Sequence, residues 1–184
     1  MEQDQIREFH QERVYAEGAG PMTRAEVDQF LASPDSTWLL KLAWLKDGWP
    51  QVVPLWYQWR DQAFWVVGRK RSEWVQDLVR EPRCAVCIEE QAHPRIRKVI
   101  AQCTAEVIEG PVDGPGSQWL PVAEEMAERY LGPGGPEALK PSHGWQRYLV
   151  KLAPRDGRIV TWQGADWAPR YFEPGQRPDL EAQR

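Results

Sequence analysis

From Ser36 onward the apolar residues stop recurring at helical spacing and gather into short extended runs separated by turn-forming residues. Trp38 to Leu45 is the first such run, and Lys46-Asp47-Gly48-Trp49 follows it with the Asp-Gly pair that favours a tight hairpin with positive φ angles. A second run at Gln51 to Trp59, a turn at Arg60-Asp61-Gln62 and a third run at Ala63 to Val67 predict a three-stranded antiparallel meander. Pro54 cannot donate a ladder hydrogen bond, so a bulge or a ladder gap is expected within the second strand. Further strands are expected at Cys84 to Ile88, Lys98 to Ile108, Arg147 to Leu152 and Arg158 to Trp162. Short antiparallel strands joined by tight turns need closure to protect their edges. The expected fold class is therefore mainly β, an antiparallel β-barrel with peripheral helices.

The helical segments lie around these strands. Residues 1 to 17 carry Ile6, Phe9, Val14 and Tyr15 on a charged background, which predicts a weak N-terminal helix within an extension of residues 1 to 20. Thr23 to Leu31 reads as a second helix, with Thr23 and Glu26 in capping-box spacing and Val27, Phe30 and Leu31 on the buried face. Ser72 is placed to cap a short helix from Glu73 to Arg80, ahead of Pro82. A Gly- and Pro-rich loop from Gly110 to Gly116 leads into a helix at 117 to 131, stopped by Gly132-Pro133-Gly134-Gly135-Pro136. The polar stretch of residues 172 to 184 reads as a flexible tail, and the 184 residues as one domain.

Composition narrows the classes of function. A formal charge of −4 gives no general field for nucleic acid or an anionic membrane surface, so any bound anion must meet a local basic cluster. No apolar run approaches the roughly 18 to 20 residues that cross a bilayer, and the charged N-terminal stretch has no signal-peptide core, so a cytoplasmic location is expected. Cys84, Cys87 and Cys103 are an odd number, which argues for core thiols rather than a disulfide framework. The C-x-x-C spacing of Cys84 and Cys87 falls on a strand, where residues three apart point to opposite faces, so no metal site is expected there. His10, His93 and His143 lie far apart, and neither a Walker loop nor a dinucleotide glycine fingerprint is present. The 11 Trp residues exceed what a core of this size needs, which points to an interface or to the lining of a planar ligand.

Two segments are the candidates for chemistry. Gly68-Arg69-Lys70-Arg71-Ser72 joins a strand to the start of a helix, where unpaired N–H groups and the positive end of the helix dipole favour a phosphate. A solvated basic turn is the competing reading. Val52-Val53-Pro54-Leu55-Trp56-Tyr57 combines a proline-interrupted strand with aromatic side chains, a combination that suits a flat ring system as well as ordinary barrel core.

Order and spacing add a resemblance. Asp47 to Trp56, Phe64 to Ser72, Leu78 to Arg83, Ala105 to Gly110, Glu128 to Gly132 and Thr161-Trp162 together resemble the pyridoxamine 5′-phosphate oxidase-like split barrels, which include flavin- and deazaflavin-dependent reductases. The resemblance implies an FMN-binding homodimer with the cofactor at the subunit interface and hydride transfer to or from a small organic substrate. It places Val67, Gly68, Arg69, Lys70 and Ser72 around the cofactor phosphate and Val53, Pro54 and Trp56 along the ring system, with Arg97 and Lys98 near the flavin. Arg71 completes the basic cluster, which would also suit the longer anionic tail of a deazaflavin. Glu73 and Trp74 follow Ser72 where the family pattern has an Arg-Lys pair, and the C-terminal Arg-x-His segment of true pyridoxamine phosphate oxidases is absent. A binder of haem, another tetrapyrrole or a flavin without turnover is the alternative on the same fold, with His143 or His93 as axial ligand.

Overall fold

The computed structural model describes residues 21–35, 38–92 and 95–164. The expected N-terminal helix, the expected tail, His10 and His93 lie outside these residues. Seven strands form one antiparallel sheet: β1 (Leu40–Lys46), β2 (Trp49–Leu55), β3 (Gln58–Arg60), β4 (Ala63–Arg69), β5 (Arg83–Ala92), β6 (Arg95–Val112) and β7 (Arg147–Gln163). The helices are α1 (Arg24–Ala32), α2 (Glu73–Arg80), α3 (Trp119–Leu131) and α4 (Gly135–Leu139), with a 3₁₀ turn at Lys140–Ser142. None of the described helices is long and apolar enough to cross a membrane.

The strand order is β2-β1-β5-β6-β7-β4-β3, so the two edge strands, β2 and β3, are neighbours in sequence. Only Trp56 and Tyr57 separate them, a span of at most about 10 Å. The sheet must therefore curl until its edges meet, which makes a barrel closed on that side by covalent continuity rather than by a ladder. The expected meander is corrected here, because β1 pairs with β2 and β3 with β4, but β2 does not pair with β3. The chain leaves the ladder where Tyr57, fully buried, donates its hydroxyl to the Leu31 carbonyl at 3.3 Å. Arg129 of α3 lies over the Tyr57 ring and donates to the same carbonyl at 3.2 Å, so α1, α3 and the crossing segment share one anchor.

The hairpin chemistry follows the sequence. Asp47 and Gly48 both have positive φ, as do Asp61 and Gln62 at the second turn, the conformation that matches the twist of paired strands. Pro54 makes no bulge: it faces Lys41 in an unbroken register from Leu40↔Leu55 to Lys46↔Trp49. An edge strand tolerates proline when the missing N–H falls on its free side. The strands expected at Arg147 to Leu152 and Arg158 to Trp162 are one 17-residue strand, β7, because its 18-residue partner β6 bends with it through register shifts at Ala101/Cys103 and Val107/Glu109. The glycine-rich stop after α3 starts a further short helix, α4, whose first turn includes Pro136.

Inward residues of the strands fill the barrel, among them Leu42, Phe64, Val66, Val86, Ile88, Val99 and Leu152, and Phe30 and Leu31 of α1 join them. A second apolar cluster forms outside the barrel, where Trp119, Val122, Ala123 and Met126 of α3 meet Leu149 of β7 and the half-buried Trp56, Trp65 and Val67.

Candidate functional site

The basic bend follows directly from the packing of β4 against α2. Gly68 is buried, and a Cβ there would lie 2.5 Å from Val75 Cγ2 and 2.9 Å from Trp74 Cζ2, so only glycine lets the helix ride this close to the strand. The chain then turns sharply out of the sheet. Ser72 occupies the N-cap position of α2, but its hydroxyl accepts from the Arg69 N–H at 3.1 Å instead of capping the helix, which corrects the expected cap. The bend is thereby braced across its own base while the first-turn N–H groups of α2 keep no side-chain partner from Ser72.

β4 pairs with β7, and this brings a second segment to the bend. Lys70 N–H donates to the Gln146 carbonyl at 2.9 Å, and Lys70 Nζ donates to Gln146 Oε1 at 2.7 Å. Arg69, Lys70, Arg71, Trp145 and Gln146 line an open cavity of about 390 Å³. Trp145 is 55% exposed, so its indole stands beside the cations with much of its surface available.

Arg69 and Arg147 are direct cross-strand partners. Like charges opposed across a ladder destabilise it, yet among the described residues Arg69, Lys70, Arg71 and Arg147 form no ion pair. Arg147 lies behind the cavity, with its guanidinium 5.3 Å from the Trp119 ring and 5.9 Å from the Trp145 ring. Its Nη2 donates to Ser142 Oγ at 2.9 Å, while its Nε is buried without a partner. Burial, and then the neighbouring Arg69, push the Arg147 guanidinium below its ordinary value. Glu73, the residue that departs from the family pattern, pairs with Lys46 and leaves the cations uncompensated. The bend thus concentrates positive charge, with a flat aromatic side chain at its edge.

The structure unites some of the residues singled out in the sequence and separates others. Gly68, Arg69, Lys70, Arg71 and Ser72 are contiguous at the bend, and Val67 lies just beneath it in the α3 cluster. Trp56 belongs to that cluster too, but it stacks on Tyr130, with centroids 5.1 Å apart and an interplanar angle of 2°. Val53 packs against the barrel core, and Pro54 is exposed on edge strand β2. Arg97 and Lys98 pair with Gln163 and Trp162 at the far end of β7 from Arg147. Arg97 forms an ion pair with the buried Glu90 and lies over Phe30 at 4.5 Å, a structural arrangement within one chain. His143 places Nε2 3.7 Å from Glu124. No group of three or more metal-ligating side chains lies together among the described residues. Trp145, Gln146 and Arg147 were invisible as site residues in the sequence, because only the β4–β7 register brings them beside Arg69.

No family model and no curated protein matches the sequence. Solved structures do match in fold. A conserved hypothetical protein of Mycobacterium tuberculosis is 25% identical, covers 82% of this chain and 89% of its own, and superposes with a TM-score of 0.60. A FAD and heme binding protein of Mycobacterium smegmatis is 17% identical over 87% of this chain and 76% of its own, with a TM-score of 0.58. A protein assigned as a pyridoxamine 5′-phosphate oxidase of Corynebacterium glutamicum is 10% identical over 83% of this chain and 98% of its own, at a TM-score of 0.50. The chain has the fold of the pyridoxamine 5′-phosphate oxidase-like split barrels. Other solved split barrels of this kind are named as a FAD-binding protein of Mesorhizobium loti and as an F420 reductase. In this split barrel the basic bend stands at the junction of β4 and α2, where the resemblance placed the cofactor phosphate.

Proposed function

We propose that this split barrel binds a flavin-type cofactor by its anionic tail at the Arg69–Ser72 bend and works as an oxidoreductase on a small organic substrate. The observation that carries this reading is the set of four cations, Arg69, Lys70, Arg71 and Arg147, without a carboxylate partner among the described residues, beside an exposed indole. Charge-assisted hydrogen bonds to phosphate are among the stronger polar contacts, and the N-terminus of α2 adds dipole charge of the right sign. A bound flavin supplies hydride transfer. The chain's own part is to hold the tail at Arg69, Lys70 and Ser72 and to shield one face of the ring system with Trp145.

FMN is the first cofactor we assign. The deazaflavin coenzyme is the second, because Arg71 and Arg147 supply more positive charge than one phosphate needs, and a longer anionic tail would use it. We assign the second half of each site to another copy of the chain. On the outer face Ala43 stands opposite both Val52 and Ala85, and one step along the sheet Cys87, Ile100 and Val160 stand opposite one another across β5, β6 and β7. Val52, Ile100 and Val160 are 66%, 39% and 52% exposed, an apolar face that a homodimer would bury.

The test is recovery of the cofactor. Protein purified without added ligand is denatured, and the released chromophore is identified by absorbance and mass. The apo-protein is then titrated with FMN, the deazaflavin coenzyme and haem, and hydride transfer from reduced nicotinamide is followed. Binding of FMN or a deazaflavin supports the reading. A Soret-type band with no flavin or deazaflavin binding assigns the fold to haem capture and overturns it.

A further inference from the structure

β2 lies at an edge of the sheet, so one row of its backbone groups has no ladder to join. Hairpin geometry decides which row. The turn between β1 and β2 is Asp47-Gly48, both with positive φ, so the flanking residues Lys46 and Trp49 are a bonded pair. Bonded positions recur every second residue and the register is unbroken, so Gln51, Val53 and Leu55 also bond to β1. Pro50, Val52 and Pro54 are left pointing to the free side. The ladder beyond β1 gives the same parity. Ala105 N–H donates to the Pro82 carbonyl at 2.8 Å, so Cys84 and Val86 bond to β6, and Ala85 and Cys87 turn toward β1. Their partners Ala43 and Lys41 are thereby committed to β5, and the residues opposite these on β2 are Val52 and Pro54.

Proline has no N–H, so the free row of β2 offers the carbonyls of Pro50, Val52 and Pro54 but only the Val52 donor. In every other respect this edge is suited to pairing, being seven residues long with Trp49 and Val52 74% and 66% exposed. We propose that Pro50 and Pro54 block a strand-pairing surface, keeping β2 from adding to β2 of a second copy of this chain. In a two-fold antiparallel pair centred on Val52, that residue faces its own copy and Pro50 faces Pro54 of the second copy. Only the Val52 positions can then exchange hydrogen bonds, and the flanking positions hold carbonyl against proline ring. The other edge, β3, is three residues long, too short to template a strand. A barrel closed by chain continuity keeps both edges, and each is guarded by a different means.

The test restores the donors. Pro50→Thr with Pro54→Thr in the full chain returns both N–H groups with a residue that suits strands and adds no apolar surface. Sedimentation over a range of concentrations is compared with the parent, and amide hydrogen exchange is read at Gln51, Val52 and Val53. In the parent, Val52 should exchange fast beside slow Gln51 and Val53. The double variant should self-associate beyond the parent's own state, with an association constant raised roughly a hundredfold or more, reversibly on dilution, and with Val52 exchange slowed about tenfold in the assembly. Each single variant should fall between. A parent whose Val52 is as protected as its neighbours, a double variant of unchanged mass, or assembly that leaves Val52 exchange unchanged or does not reverse would overturn the proposal. None of these outcomes depends on which cofactor the protein binds.

Discussion

Replacing Gly68 with alanine tests whether close packing of α2 on β4 shapes the basic bend. The added Cβ would meet Val75 Cγ2 at 2.5 Å and Trp74 Cζ2 at 2.9 Å, and neither side chain can swing away, because Val75 is fully buried and Trp74 nearly so. Strand and helix must therefore part by about 1 Å to restore ordinary contact distances. Overpacking of this kind costs about 1 to 3 kcal/mol, while alanine regains about 0.5 to 1 kcal/mol of the entropy that a strand glycine loses. Two contacts under 3.0 Å to buried side chains put this site at the upper end of the overpacking range, so the net loss is about 2 kcal/mol, a fall in Tm of roughly 4 to 8 °C for a chain of this size. Urea unfolding of G68A reads the loss directly, and anion affinity should fall with it, since the bend is carried by the displaced helix. Gly134→Ala is the control: its φ is −84° and a Cβ there meets nothing within 4 Å, so its stability should stay within about 0.5 kcal/mol of the parent. A G68A protein as stable as the G134A control would refute the packing argument.

Three further substitutions probe separate parts of the account. Arg129→Ala removes the donor that joins Leu31 and Tyr57 across the split, and loss of about 2 to 3 kcal/mol in denaturant unfolding is expected; Arg129→Lys should restore little, because one ammonium cannot reproduce the planar fork stacked on Tyr57. Trp145→Ala, at a side chain that is 55% exposed, should leave stability within about 0.5 kcal/mol while weakening flavin binding by about 0.5 to 1.5 kcal/mol; unchanged affinity would remove the indole from the site. Val160→Glu combined with Ile100→Glu puts charge on the outer sheet face, and sedimentation should show a dimer for the parent and a monomer for the variant; a variant that still dimerises would place the interface elsewhere, and a monomeric parent would remove it.

The barrel was legible because its information is local. Asp47-Gly48 and Arg60-Asp61-Gln62 announce turns through residue chemistry, and Thr23 with Glu26 announces a helix start, and all three behave as read. What failed was non-local. Pro54 reads as a bulge until its strand is known to be an edge, and nothing near Pro54 says that β2 ends the sheet. Gln51 to Trp59 looks like one strand, because the break at Trp56-Tyr57 is enforced by Leu31 and Arg129, distant in sequence. The bend itself was visible as a run of cations, whereas Arg147 and Trp145 enter the site only through the β4–β7 register. In the same way, C-x-x-C drew attention to Cys87 when the partner of Cys84 is Cys103.

The most direct test of the anion site is calorimetric titration of FMN and of the deazaflavin coenzyme into the parent protein and into a variant carrying both Arg69→Ala and Lys70→Ala. Each lost charge-assisted contact is worth about 1.5 to 3 kcal/mol, so the dissociation constant of the ligand that the parent binds should rise by between about a hundredfold and ten-thousandfold, with an unchanged unfolding midpoint. Equal affinity in parent and variant would show that the bend is a solvated turn and that the tail is held elsewhere.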